Sequence, residues 1–236
     1  MTAQVLKSKK KQPRWFELYK GIIGLFVAKP RFIHLGGGVE EPSLLISNHE
    51  GAAGPLTWEI RWKGQKKFWV AHENTEGIKA VFRYLAYLYF PQKKHLPKLL
   101  SVVVAFIACP FVSLFFKGLD PLPTYTDAAE KLISTIRRTE SELNGGSSIV
   151  IFPEDSSHGY FKKPKRFFAG FVLLCERLLK NGVDVQVFVT YFSKKRRTVI
   201  FDKPVRYSDL HRIHGSREVI AERLRQRLCE LADMEL

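Results

Sequence analysis

The sequence predicts an α/β protein, a single-domain mixed sheet flanked by helices with an N-terminal amphipathic helix in front. Three observations carry this. First, 236 residues of which 45% are apolar suffice for one α/β domain with a full core. Second, short apolar runs of strand length alternate with longer helix-like patterns. Third, two polar stretches each follow such a run directly: Ser47-Asn48-His49-Glu50-Gly51 after Leu44-Leu45-Ile46, and Phe152-Pro153-Glu154-Asp155-Ser156-Ser157 after Ile149-Val150-Ile151. Residues just past the carboxyl ends of strands in an open α/β sheet gather in one crevice, where ligands bind. An imidazole and a carboxylate pair, about a hundred residues apart, are thereby expected to meet by folding.

Taken in order, Lys7, Lys9, Lys10, Lys11 and Arg14 form a basic arm leading into an aromatic-rich amphipathic helix, Trp15–Ala28, closed by Lys29-Pro30. It is too short and too polar to cross a bilayer. A basic flank beside Trp15, Phe16 and Phe26 suits a helix lying in a membrane interface, and packing on the domain's own core is the alternative. The organisation is therefore residues 1–30, a basic arm and membrane-associating helix, and residues 31–236, the α/β domain. Gly36-Gly37-Gly38 reads as a turn and not a phosphate loop, since no helix pattern or Lys-Ser/Thr follows. Pro42–Ser47 reads as a strand with Asn48-His49 as its exit, and Gly51-Ala52-Ala53-Gly54 leaves room for a tight turn. Pro55 opens a helix through about Trp62.

Lys67–Ala71 is a second strand, and Ile78–Phe90 an aromatic helix ended by Pro91. Leu99–Phe116 is the most apolar run, flanked by Lys93, Lys94, Lys98 and Lys117. Its 18 residues reach spanning length. Pro110, however, divides it into a helix-length and a strand-length piece, and a single span would put His49 and Glu154 on opposite sides of a bilayer. Burial in the core or a shallow membrane-facing surface is expected instead. Thr126-Asp127, with Glu130, caps a helix lined by Leu132, Ile133, Ile136 and Leu143 and stopped at Asn144-Gly145-Gly146. Ser147–Phe152 is the central strand. Phe167–Lys180 is an apolar helix, Asp184–Phe192 and Thr198–Val205 are strands, and a helix from Ser216 carries the stripe Val219, Ile220, Leu224, Leu228 and Leu231.

Thirty-eight Lys and Arg against 23 Asp and Glu give a net charge of +15, which attracts polyanions. The cations border apolar segments and are scattered over several elements, so an anionic membrane surface is favoured and no nucleic acid is expected as a partner, a nucleic-acid-binding protein being the lesser alternative that charge alone suggests. Cys109, Cys175 and Cys229 lack metal-ligand spacing and read as reduced core residues. No metal site and no bound cofactor are expected, and no secretory cleavage site follows the basic arm.

In this order the blocks resemble the glycerolipid acyltransferase superfamily, whose members acylate glycerol phosphate and lysophosphatidic acid. Ser47-Asn48-His49 is similar to that family's Asn-His-x4-Asp block, and Leu114-Phe115-Phe116-Lys117-Gly118 stands where its second block falls. Phe152-Pro153-Glu154 is similar to the start of Phe-Pro-Glu-Gly-Thr-Arg-Ser. Val187-Phe188-Val189 and Ile200–Val205 resemble its later strands. The likeness spans most of residues 30–206 and departs from the family at two places: Gly54 replaces the motif Asp, and Asp155-Ser156-Ser157 replaces Gly-Thr-Arg.

The resemblance implies transfer of a fatty acyl group from acyl-CoA or acyl carrier protein to a lysophospholipid or glycerol-type hydroxyl. The setting would be the cytoplasmic, inner face of a membrane, with the protein peripherally bound. His49 would be the base and Glu154 would help position the acceptor. Asn48, Phe152, Pro153, Asp155 and Ser156 would line the substrate site, with Lys162, Lys163 and Lys165 taking over from the missing Arg as phosphate contacts. An imidazole, with a pKa of about 6.5, suits proton removal from a hydroxyl. Without the motif Asp, either another group orients His49, with Glu50, Asp155, Glu154, Glu73 or a backbone carbonyl as candidates, or the chain is a lipid-binding descendant that has lost the chemistry.

Overall fold

The chain, seen in a computed structural model that describes residues 12–39, 42–125 and 129–234, alternates helices with strands for most of its length. It runs α1 (Arg14–Gly24), β1 (Arg31–His34), β2 (Ser43–Ser47), α2 (Ala53–Arg61) and β3 (Lys66–Ala71). Then come α3 (Ile78–Arg83), continuing as a π-helix (Tyr84–Lys93), α4 (Lys98–Leu119), β4 (Leu122–Thr124), α5 (Ala129–Asn144) and β5 (Ser148–Ile151). It finishes with α6 (Gly170–Lys180), β6 (Gln186–Ser193), β7 (Thr198–Phe201), β8 (Val205–Arg206), α7 (Tyr207–His214) and α8 (Arg217–Asp233).

The strands form an eight-stranded sheet in the order β1-β7-β6-β2-β5-β3-β4, with β8 also paired to β6. From β6 to β4 the strands are parallel; β7 and β8 run against β6, and β1 runs with β7. Every residue of β2 and β5 is buried, as expected for central parallel strands covered on both faces. Alternation then sorts the side chains. Leu44, Ile46, Ile149, Ile151, Val187 and Val189 join the core beneath α6, α7 and α8 and the inner side of α5. Leu45, Val150, Phe188 and Phe201 point the other way, to Phe16 of α1, Trp58 of α2 and Leu119 at the end of α4. A third, smaller cluster joins α3, the π-helix and α4 through Val81, Leu85, Ala86, Ala105 and Cys109.

Several expectations are corrected. Leu99–Phe116 is not a helix followed by a strand: α4 is one helix with Pro110 inside it. Proline cannot donate to the carbonyl four residues back, and here the Cys109 thiol reaches that orphaned Phe106 carbonyl at 3.7 Å. The short strand comes later, as β4. Pro91 likewise fails to end its helix at Phe90, because the wider π-winding carries the chain on to Lys93. Phe16 follows the alternative reading of its helix, core packing in place of the membrane interface: it is fully buried and packs edge-on against Phe115. In α5 Ile133 is exposed, and the inner face is completed by Thr139, whose hydroxyl accepts from Trp69 Nε1 at 2.9 Å. Val219 is exposed on α8, where Ala221 and Ala232 help fill the buried stripe. Helix α6 starts at Gly170 because Phe167 instead bridges to Glu154. The proposed caps Thr126 and Asp127, and the lysines at 7, 9, 10 and 11, lie outside the described residues.

Candidate active site

Because β2 and β5 are adjacent, parallel and in register, their exits lie side by side on one edge of the sheet. The exit of β2 is anchored by Asn48. Its Nδ2 donates to the Phe192 carbonyl at 2.9 Å, and its Oδ1 accepts from the Phe192 amide at 2.7 Å. The side chain is wholly buried, so Asn48 locks β2 to β6 and has no atom free for a substrate.

His49 comes next. Its amide donates to Glu154 Oε2 at 3.4 Å, and its Nδ1 hydrogen-bonds the Gly51 carbonyl. A carbonyl only accepts, so Nδ1 carries the proton and Nε2 keeps its lone pair. The ring stacks on Tyr160 with centroids 4.4 Å apart and meets Phe152 at 5.1 Å. Burial, and then the nearby Lys93 and Lys94 ammonium groups, lower its pKa to about 3, so the imidazole is neutral across the physiological range.

Gly54 explains the missing carboxylate. Its amide donates to the His49 carbonyl at 3.2 Å, and a Cβ there would lie 2.4 Å from that same oxygen. This turn has no room for any side chain at the position. The orienting acceptor is instead the backbone carbonyl of Gly51, one of the candidates the sequence left open. Glu50 is drawn off to the β6–β7 turn, where it accepts from the Lys194 amide at 2.8 Å.

Glu154 is nearly buried. Its Oε1 accepts from the Phe161 amide at 3.0 Å while Oε2 takes the His49 amide, so one carboxylate ties both site stretches together. Burial raises its pKa, opposed by those two amides and by Lys93. Between Glu154 and Phe167 the chain forms a closed loop, with the Asp155 amide bonded to the Arg166 carbonyl and the Phe168 amide to the Pro153 carbonyl. Pro153 is buried at the base of that loop, and Phe152 stacks parallel to Phe68.

Lys93, at the end of the π-helix, reaches into this cluster. Its Nζ donates to Ser156 Oγ at 2.7 Å and lies 3.3 Å and 3.5 Å from the Tyr84 and Tyr160 hydroxyls. Burial lowers its pKa, while Glu73, Glu154 and Asp155 pull it back up. In the sequence Lys93 reads as a flank of the apolar run, and Tyr160 and Tyr84 belong to no motif. The available signal was a lysine pair directly after a tyrosine-rich helix.

The fold thus assembles His49, Glu154, Phe152 and Ser156, and adds Lys93 and Tyr160. Asp155 faces its own turn, accepting from the Ser157 amide at 3.1 Å. Lys163 is paired with Asp233 of α8 at 2.6 Å, and Lys165 lies over the Phe161 ring, so neither is held in the His49 cluster. Lys162 is exposed and in the field of Glu50. Among the described residues no group of His, Cys, Asp and Glu is arranged to hold a metal ion.

The architecture is similar to the crystal structure of the 1-acyl-sn-glycerophosphate acyltransferase PlsC from Thermotoga maritima. The match covers 93% of this chain and 78% of that one at a TM-score of 0.50, with 11% sequence identity. The chain has a glycerolipid acyltransferase-like fold. No protein-family model matches it, and no curated protein does. At this identity the likeness is one of fold.

Proposed function

We propose that this glycerolipid acyltransferase-like chain transfers a fatty acyl group from an acyl thioester, on CoA or acyl carrier protein, to the hydroxyl of a lysophospholipid or glycerol-type acceptor. The observation carrying the reading is the His49 imidazole. It is neutral, fixed as the Nδ1–H tautomer by the Gly51 carbonyl, and seated at the β2 exit beside a lysine. Nε2 takes the acceptor's hydroxyl proton as its oxygen attacks the thioester carbonyl carbon. The tetrahedral adduct then collapses, the C–S bond breaks, and the proton passes from Nε2 to the departing sulfur, leaving an ester and a free thiol.

A pKa of about 3 makes a resting His49 a weak base. An acceptor bearing a phosphate would offset the two lysines that help hold it down. Its arrival would raise the proton affinity of His49 when the base is needed. Glu154 acts through the backbone, holding the His49 amide and the Phe161 amide, and is a positioning residue.

The test offers purified protein labelled acyl-CoA and acyl-loaded carrier protein against lysophosphatidate, neutral lysolipids and glycerol 3-phosphate. Acyl ester formation with faster turnover on the phosphate-bearing acceptors is expected. No ester with any pair would overturn the reading. The stacking of Tyr160 on His49 favours one rival, a lipid-binding protein without turnover. It would show lysolipid binding and no ester.

A further inference from the structure

Helix α4 is apolar on both faces. Its buried residues are Ser101, Ala105, Cys109, Gly118 and Leu119, with Val102, Val112, Phe115 and Phe116 partly buried against the domain, while Leu99, Val103, Phe106, Ile107, Phe111 and Leu114 are exposed. Leu99 is 81% exposed, Phe106 74% and Ile107 64%. A helix facing water is polar on its outer face. Exposed apolar side chains continue beside it, Tyr87 and Leu88 on the π-helix and Trp15, Leu18 and Ile22 on α1. Exposed apolar surface of this extent marks an interaction face.

The charges identify the occupant. No Asp or Glu lies in α4, and exposed cations border it: Lys94 and Lys98 at its start, Lys117 at its end, and Lys79 and Arg83 on the adjoining α3. Apolar faces rimmed by ammonium groups, on a chain of net charge +15, complement a lipid leaflet with anionic headgroups.

The ends decide the orientation. At about 1.5 Å per residue the 22-residue helix is about 33 Å long, enough to cross a bilayer. Both ends are nevertheless fastened to the same folded body. Lys93, just before it, is bonded to Ser156 of the site loop, Phe16 packs against Gly118, and Asp120 after it pairs with Lys67 at 3.0 Å. Between them the Phe111 carbonyl accepts from the Tyr19 hydroxyl of α1 at 3.0 Å.

We propose that the outward face of α4 beds in the acyl-chain boundary of an anionic bilayer leaflet, the helix lying in the membrane plane with its Lys93 end beside the His49 site. The proposal rests on the acyl-transfer reading for its purpose, the delivery of a lipid acceptor to His49 from the leaflet. Its physical content is separable.

The test sediments the purified full chain with vesicles of phosphatidylcholine, alone or mixed with phosphatidylglycerol. Wild type is expected to bind the anionic vesicles at least tenfold better, and the folded double variant Phe106→Glu/Ile107→Glu to lose at least tenfold of that binding. Spin labels at L99C, F106C and L114C in a Cys229→Ser background should report one common shallow depth. A depth graded along the helix, absence of vesicle binding, or a stable dimer that shields these labels in solution would each overturn the proposal. Turnover of a water-soluble, short-chain donor and acceptor by the double variant separates this surface from the chemistry. Vesicle binding by a wild type that makes no ester would overturn the enzyme reading and uphold the docking face.

Discussion

A methyl group at Gly54 would sit 2.4 Å from the His49 carbonyl oxygen, a separation the turn relieves only by moving backbone. Gly54→Ala is therefore expected to cost about 1–3 kcal/mol, and Gly54→Asp no less, without any gain in turnover. Urea denaturation beside an activity assay checks both; a stable, faster Gly54→Asp enzyme would show that the Gly51 carbonyl does not do the orienting. His49 gives a pH signature whose sign follows from its lowered pKa of about 3 against about 6.5 when unfolded. Between those values the unfolded chain binds a proton that the folded chain refuses. Stability present above pH 6.5 is thus lost as the pH falls toward 3, by at most about 1.4 kcal/mol per pH unit. Denaturation curves at pH 7, 5.5 and 4.5 should fall less steeply for His49→Gln than for wild type. Lys93→Met removes a cation beside His49, raising its pKa and moving the acid limb of kcat/KM to higher pH, with a loss of about tenfold or more. Lys93→Arg should restore the limb, because it restores the charge.

At the scale of elements, the strands that matter most were legible because burial on both faces leaves nearly uninterrupted apolar runs, as in Leu44–Ile46 and Ile149–Ile151. Strands β4 and β8, of three and two residues, fall below the length at which a period can be read, and β1, as long as β5, is bounded by Arg31 and His34 and has no uninterrupted apolar run. The course of α4 was hidden by Pro110, since local rules count the lost amide and not the Cys109 thiol that meets the freed carbonyl. Pro110→Ala is expected to raise thermal stability by about 1 kcal/mol or more, because it supplies the missing amide at an exposed position. A fall in melting temperature would mean that the proline shapes the helix against its neighbours. At Gly118 a Cβ would lie 2.1 Å from the Phe16 ring, so Gly118→Ala should release α1, seen as faster proteolysis at residues 14–24.

Across the whole molecule, the order of blocks was enough to foresee the α/β class and the meeting of His49 with Glu154, because both follow from strand exits sharing an edge. The partners that tune the site were not readable. Lys93 enters from an unrelated helix, Tyr160 from a loop, and the acceptor for Nδ1 is a backbone carbonyl, which no side-chain motif records. Lys163 shows the reverse error: a cation near the motif in sequence that folding pairs with Asp233.

The measurement that bears most directly on His49 as the base is single-turnover acyl transfer from a labelled thioester to lysophosphatidate, wild type beside His49→Ala. Loss of at least a hundredfold in rate, with lysolipid affinity and fold unchanged, is the expected result at the lower end of what a general base supplies, about 10²–10⁴-fold. Equal rates in the two proteins would contradict it.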